Sequence, residues 1–386
     1  MSCVTPTSAE SLASALREAA AARRSISVFG NDSKRLGGGP VLPTDISIST
    51  ASLRRVLQYE PRDLTISVEA GMPFAELQAL LAKNGQMIAL DPPFSSRATI
   101  GGVVAANASG PMRRGYGTAR DLVIGMSFAM LDGRVVKTGG MVVKNVAGLD
   151  MGKLLIGSFG TLAVMTNINF RLHSLPAACR TYLFSYPALA AAIERRDKIL
   201  KSVLQPVALD LISPTAAARF DRRGHILALR ATGSPAVLAR YSRDLSDAEE
   251  LTEEKETEFW QSVREFTPDF LLRQHEGVVL RVSTTLKDLP LLVSLVPGAC
   301  ISRAASGITY VYLSSWQGGA SLWKVAAERK WIITAEFAPN DIRRSASLWQ
   351  LPKSEPGAAT FAMMEKVKHM FDPDNLLNRL RLYGRI

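Results

Sequence analysis

The segment Ala98-Thr-Ile-Gly-Gly-Val-Val-Ala-Ala-Asn-Ala-Ser-Gly110 is built almost wholly from small residues. Such a run needs a reason, because small side chains let a backbone come close to something that larger ones would hold off. Two more glycine-rich places flank it. Gly30-Asn-Asp-Ser-Lys34, followed by Gly37-Gly-Gly-Pro40, exposes backbone N–H groups beside a lysine and can cradle a phosphate. Gly157-Ser-Phe-Gly-Thr161 precedes a strand pattern. Each stretch alone reads as a turn more readily than as a site. Neither GxGxxG nor GxxxxGK[ST] occurs, which argues against Rossmann and P-loop nucleotide binding.

The elements around these loops mix the two periodicities. Ser8 to Ala22 has apolar residues at helical spacing, and Ser25 to Phe29 then alternates like a strand. Asp45 to Ser49 and Thr65 to Glu69 alternate again, and Phe74, Leu77, Leu80 and Leu81 share one helical face between Pro73 and Gly85. Val123 to Val136 reads as two strands about an Asp132-Gly133 turn, Asp150 to Ile156 as a short helix, and Leu162 to Leu172 as a strand. Beyond Leu183 another pattern begins. Strands at Val207–Ile212, His225–Arg230, Val278–Ser283, Ile308–Leu313 and Trp331–Phe337, with an Ala236–Asp247 helix, predict an antiparallel sheet covered on one side. The acidic run Glu249 to Glu258 reads as a solvated connection, and Phe361 to Phe371 as an amphipathic docking helix. The fold class expected is α+β, with domains at 1–175 and 176–345 and a C-terminal segment 346–386 returning to the first.

With 386 residues the chain exceeds what one hydrophobic core organises. No apolar run is long enough to span a bilayer, and the N-terminus lacks the pattern of a signal peptide, so a cytoplasmic location is expected, peripheral to the inner membrane only through partners. Lys plus Arg at 46 against Asp plus Glu at 35 leaves +11, which favours an anionic cofactor, an acidic substrate or an acidic partner. The basic residues are scattered in pairs such as Arg54–Arg55, Arg113–Arg114 and Arg343–Arg344, which argues against nucleic acid. Cys3, Cys179 and Cys300 lie far apart with no CxxC, so neither a zinc site nor iron–sulfur ligands are expected.

Taken in order, Val28-Phe-Gly-Asn-Asp-Ser-Lys34, Val68-Glu-Ala-Gly71, Ala98-Thr-Ile-Gly-Gly102, Asn107-Ala-Ser-Gly110, Tyr116-Gly-Thr-Ala-Arg-Asp121 and Gly157-Ser-Phe-Gly-Thr-Leu162 resemble the FAD-binding domain of the vanillyl-alcohol oxidase and p-cresol methylhydroxylase (PCMH) type. More closely, Lys144-Asn-Val-Ala-Gly-Leu-Asp150 and the terminal Phe371-Asp-Pro373…Asn378 are similar to the FAD-binding subunits of bacterial glycolate oxidases. The resemblance implies a two-lobed PCMH-type domain, a smaller antiparallel α+β domain and FAD as cofactor.

By the same resemblance Gly30, Asn31, Asp32, Ser33 and Lys34, with Thr99, Ile100, Gly101 and Gly102, hold the pyrophosphate, and Phe29 counts among the cofactor-binding residues. Ser109, Gly110, Gly115 and Gly117 line the flavin, and Asn107, Arg120, Asp121 and Gly157 count among the cofactor-binding residues. Gly160, Thr161 and Val164 meet the ring or the adenosine. Relatives often tether the flavin through histidine; with no histidine before His173 and only Cys3 before Cys179, non-covalent binding is expected. Lys34 is read as a phosphate partner, with a solvated lysine as the alternative. Arg113, Arg114 and Lys144 are candidates for a carboxylate or phosphate.

The implied activity is oxidation of glycolate or a similar 2-hydroxy acid. The implied partners are a catalytic flavoprotein paralogue, an iron–sulfur subunit and the small acid itself. No catalytic residue emerges, because His173, His225, His275 and His369 are too far apart in sequence to form the histidine-rich metal motif of glycolate- and D-lactate-oxidising relatives. Two other readings stand beside this one: a self-sufficient FAD enzyme acting on another hydroxy acid or alcohol, and a flavin-free structural subunit. In the terminal motif, Arg379 and Leu380 replace the family's Pro and Gly before Arg381.

Overall fold

The computed structural model describes residues 2–142, 150–351 and 355–386. The motif residues Lys144 to Leu149 lie outside them. The chain divides into two compact units. The first comprises Met1–Ser109, Gly117–Leu175 and Ser354–Ile386, and the second Gly110–Tyr116 and Pro176–Lys353.

In the first unit Ser8 caps helix α1 (Ala9–Ala21). Its hydroxyl accepts from the Ser11 N–H at 3.1 Å while Ser11 Oγ accepts from the Ser8 N–H at 3.1 Å, a reciprocal cap. Leu12 and Leu16, one turn apart, are completely buried and share a core cluster with Ile26, Ile46, Ile48 and Leu53. Each such leucine contributes about 2 kcal/mol. The sheet beneath is parallel: β1 (Ser2–Val4), β2 (Ile26–Phe29) and β3 (Ile46–Ser49), in the order β1-β3-β2.

The second lobe of this unit is antiparallel. Its strands are β4 (Val56–Glu60), β5 (Thr65–Glu69), the short β6 (Gln86–Met87), β7 (Val123–Ala129), β8 (Val135–Gly139), β9 (Val164–Arg171) and the short β10 (His173–Ser174). Five of them form the order β4-β5-β9-β7-β8, and β6 pairs with β10. The alternating β5 would suit a half-exposed strand, yet all five residues are buried. Glu69 tolerates this because its carboxylate accepts from Arg55 Nη2 at 2.8 Å and from the Arg55 N–H at 2.7 Å. Helix α2 (Phe74–Ala82) buries Phe74, Leu77 and Leu81, and Gly85 beyond it has φ +64°. The small-residue run folds into helix α3 (Ile100–Ala105).

The second unit holds one continuous nine-stranded sheet. Its order is Glu249–Thr252, Ala178–Tyr186, His225–Gly233, Ala208–Ile212, Ala299–Arg303, Ile308–Leu313, Val278–Ser283, Ile332–Phe337 and Trp349–Gln350, with antiparallel pairing throughout. The expectation of helices on one side alone is corrected here. Thr181 and Tyr182 are consecutive and point to opposite faces. Thr181 Oγ1 accepts from Trp260 in the helix Glu253–Arg264, while Tyr182 O–H donates to the Leu238 carbonyl in the helix Pro235–Asp244. The acidic run is solvated along most of its length, with Glu249, Glu250, Glu253, Glu254 and Glu258 exposed, but it is not a mere connection. It forms the edge strand and the start of the following helix, and Glu256, 2% exposed, accepts from Arg230 Nε at 2.6 Å. Periodicity could not show that a charge is buried when its partner lies 26 residues away.

Candidate functional site

Strand β2 delivers the chain into the Gly30–Lys34 loop, where Asp32 turns with φ +51° and pairs with Arg35 at 2.8 Å. Gly30 abuts the side chain of Thr99, which leaves no space for a Cβ. Thr99 is buried and caps α3, its Oγ1 accepting from the Gly102 N–H at 3.3 Å. The entry of α3 is fixed by backbone bonds, Gly101 N–H to the Ala70 carbonyl at 2.7 Å and Ile100 N–H to the Met72 carbonyl at 2.9 Å. A Cβ on Gly101 would press on Ala70 at 2.9 Å, so packing requires that glycine.

The Gly157–Thr161 turn is pinned to α3 from the other side. Gly157 N–H donates to the Val104 carbonyl at 3.1 Å and Phe159 N–H to the Ala105 carbonyl at 2.9 Å. Gly157 and Gly160 have φ of +84° and +67°, the left-handed region that glycine enters freely.

These three segments border two adjoining hollows open to solvent, of about 430 Å³ and about 570 Å³ with the open space counted, which share Val28, Phe29, Gly30, Gly102, Ala105, Phe159 and Asn378. The first continues along Thr50, Ala70, Gly101, Gly160, Ala163, Val164 and Met165, an apolar lining. The second continues along Asn31, Asp32, Ser33, Lys34, Thr99, Ala106 and Arg381, a polar and charged one. Lys34 Nζ lies 5.6 Å from the centre of the Phe94 ring. The arrangement can hold a molecule with an apolar part and an anionic part, its backbone contacts made to small residues.

The C-terminal segment completes the lining. Asn378 Oδ1 accepts from the Val28 N–H at 2.7 Å, and its Nδ2 donates to the Phe159 carbonyl at 2.9 Å, so one side chain joins β2 to the glycine turn. Arg381 donates to the Gly39 carbonyl, and burial lowers its pKa to about 10, which leaves it charged at neutral pH. The turn forms with Arg379 and Leu380 after Asn378: Asn378 and Leu380 take φ of +44° and +61° themselves. Lys368, 6% exposed, donates to the Thr161 carbonyl at 2.8 Å, the Leu377 carbonyl at 2.9 Å and Asp372 Oδ2 at 2.5 Å. Asp372 in turn accepts from the N–H groups of Leu376 and Leu377.

Of the residues singled out in the sequence, Phe29 to Lys34, Thr99, Gly101, Gly102, Gly160 and Val164 line the hollows. Ile100 is buried in the packing of α3, Ser109 is buried, Asn107 is exposed with φ +45°, and Thr161 donates its hydroxyl to the Ser158 carbonyl at 2.7 Å. Gly117 turns with φ +82° beside Asp121, whose carboxylate accepts from the Thr118 N–H at 2.8 Å, and exposed Arg120 lies against Lys153. Gly110 and Gly115 belong to the second unit, where Gly115 N–H donates to the Val207 carbonyl at 3.1 Å. Sequence reasoning missed Phe159, Met165, Ala105 and the polar role of Arg381. Phe159 and Ala105 lay inside the small-residue runs already singled out, the spacing of the terminal Asn378 and Arg381 pointed to Arg381, and no signal marked Met165.

His275 and His369 are exposed, while burial holds His173 and His225 below the usual imidazole range. Among the described residues no group of His, Cys, Asp and Glu is arranged to hold a metal, and no helix is long and apolar enough to cross a membrane.

Residues 2–139 match the family of FAD binding domains. The whole chain has the fold of p-cresol methylhydroxylase, determined with substrate bound, with a TM-score of 0.75 at 13% identity over 99% of this chain and 88% of that one. Residues 2–139 are thus similar to FAD binding domains, within a chain that has the fold of p-cresol methylhydroxylase. Among individual proteins, the chain is similar to glycolate oxidase subunit GlcE of Escherichia coli (strain K12), 29% identical over 365 residues and 93% of each chain. It is also 29% identical to glycolate oxidase subunit GlcD of Bacillus subtilis over 160 residues, 42% of this chain and 34% of that one.

Proposed function

We propose that this chain is the FAD-binding subunit of a glycolate oxidase complex, an FAD-dependent oxidoreductase that acts on the CH–OH group of glycolate or a similar 2-hydroxy acid. The observation that carries this reading is likeness to a glycolate oxidase subunit along 93% of both chains, together with a hollow that runs from small, apolar residues to charged ones. Gly30 to Lys34, Thr99, Gly102 and Arg381 surround the pyrophosphate, with Lys34 and Arg381 offsetting its charge. Gly160, Ala163 and Val164 lie along the apolar part of the cofactor. FAD, when bound, supplies the hydride acceptor. Binding is non-covalent in this reading, since among the described residues neither histidine nor cysteine lines either hollow. Electrons pass to a partner subunit, and the stretch similar to GlcD is consistent with a flavoprotein paralogue as one partner, beside an iron–sulfur subunit.

The test is an absorbance spectrum of the purified chain before and after acid precipitation, then anaerobic addition of glycolate and D-lactate. Flavin bands released into the supernatant are the expected result, with bleaching that is slow for the chain alone and fast when the partners are added. A chain that takes up no added FAD would overturn the proposal, and fast bleaching without partners would make it a self-sufficient enzyme.

A further inference from the structure

A row of charged and phenolic side chains crosses the middle of the nine-stranded sheet in the second unit. Asp210 stands directly opposite Arg303 in the ladder and accepts from its guanidinium. Arg303 Cζ lies 5.4 Å from the centre of the Tyr310 ring. Tyr310 is opposite Arg281, and Arg281 is opposite Thr334; Glu336 follows on that last strand at a bulge, unpaired between Ala335 and Phe337, and its charge reaches the Tyr310 hydroxyl. Directly opposed residues of an antiparallel pair share a face, so the row from Asp210 to Thr334 lies on one side of five adjacent strands.

Arg113 joins it from the segment Gly110–Tyr116, which belongs to this unit. Burial foremost, and then Glu336, raise the Tyr310 phenol above its usual range, against the lowering pull of Arg281, Arg303 and Arg113, so all four charges act at that hydroxyl.

Stability does not ask for such a row. The neighbouring positions on the other face, Leu209, Leu211, Leu280, Val282 and Val311, are apolar and at most 2% exposed. Charges at a sheet centre return less than well-packed apolar residues would, so their presence points to use. Asp210 and Arg303 are buried and balance each other, whereas Arg113, Arg281, Tyr310 and Glu336 are half-buried and can be reached. Two arginines against one glutamate leave a net single positive charge among the reachable groups, which suits one carboxylate. Guanidinium and phenol both donate, as carboxylate oxygens require, and Glu336 offers an acceptor for an alcohol O–H.

We propose that this row is a binding site for a small 2-hydroxy monocarboxylate, with Arg281, Arg113 and the Tyr310 hydroxyl on its carboxylate and Glu336 accepting from its hydroxyl. The choice of a 2-hydroxy acid rests on the function proposed above; the site itself rests on residues of the second unit alone.

Isothermal titration of the full FAD-saturated chain with glycolate, acetate and methyl glycolate tests it. Glycolate is expected to bind, acetate to bind more weakly for want of the hydroxyl, and the uncharged ester to give no saturable heat. Arg281→Met is expected to weaken glycolate binding about tenfold or more, Arg281→Lys and Tyr310→Phe by less, with melting temperature and bound FAD retained. If Arg281→Met fails to fold, the milder variants decide. No glycolate binding by the wild type, equal binding of the ester, or wild-type affinity in the Arg281 and Tyr310 variants would overturn the site. Failure to take up FAD would instead defeat the functional reading, and titration of the FAD-free chain would still read the carboxylate site, because none of its groups belongs to the first unit.

Discussion

Two residues at the hollow separate folding from binding. Gly102 is exposed, lines both hollows and sits inside α3, where a Cβ would meet Thr99 Oγ1 alone, at 3.2 Å. Alanine is preferred over glycine within a helix by about 1 kcal/mol, which compensates for the small adjustment Thr99 must make. Gly102→Ala is therefore expected to leave the melting temperature of the FAD-free protein unchanged or slightly higher, while FAD affinity in a fluorescence titration falls about tenfold, or about 1.4 kcal/mol. An unchanged affinity would mean that nothing approaches this glycine. Asn378 is the opposite case, since its amide serves the fold and the hollow at once. Removing it strands the Val28 N–H and the Phe159 carbonyl, so Asn378→Ala is expected to cost about 2 kcal/mol in urea unfolding and to weaken FAD as well. The glycines were legible in the sequence because a run of small residues has few other uses. The Asn378 bonds were not, because no periodicity links residue 28 to residue 378.

Among the elements, the C-terminal helix Glu355–Phe371 shows what a local pattern can and cannot convey. Its amphipathic spacing announces a helix, but its last turn carries a lysine that is buried rather than solvated. Burial pulls the Lys368 ammonium below its usual range and Asp372 pushes it back up, and two backbone carbonyls complete its hydrogen bonds. Lys368→Met leaves Asp372 charged and buried without its cation, at an expected cost of about 3 to 5 kcal/mol. Chemical denaturation of Lys368→Met, Asp372→Asn and the double variant should show strong coupling; additive effects would mean that the pair does not act as a unit. The same limit explains Glu256 and Arg230, whose charges read as surface residues until the sheet brings them together. Strand and helix positions followed from period and turn residues, whereas which charges are buried depends on contacts distant in sequence. The parallel sheet β1-β3-β2 and the single nine-stranded sheet were illegible for that reason too, since order and register are set between strands.

At the scale of the molecule, each unit carries a histidine whose folding is linked to protons. His173 in the first and His225 in the second both have pKa values lowered from 6.5, in each case by burial first and, at His173, also by the nearby Arg171 charge. In the unfolded chain each imidazole takes up its proton near the ordinary value, while the folded chain resists it until the pH is lower. The unfolded state therefore binds more protons across the window just below pH 6.5, and stability falls as pH falls through it. The two effects separate because the residues lie in different units: His225 sits at the end of its strand, opposite Tyr186, and His173 pairs with Met87. Melting temperatures between about pH 7.5 and 5 are expected to drop less steeply for His225→Asn than for the wild type, and less again when His173 is replaced as well. Parallel wild-type and variant curves would show that carboxylates, titrating lower, govern acid stability instead of these two histidines.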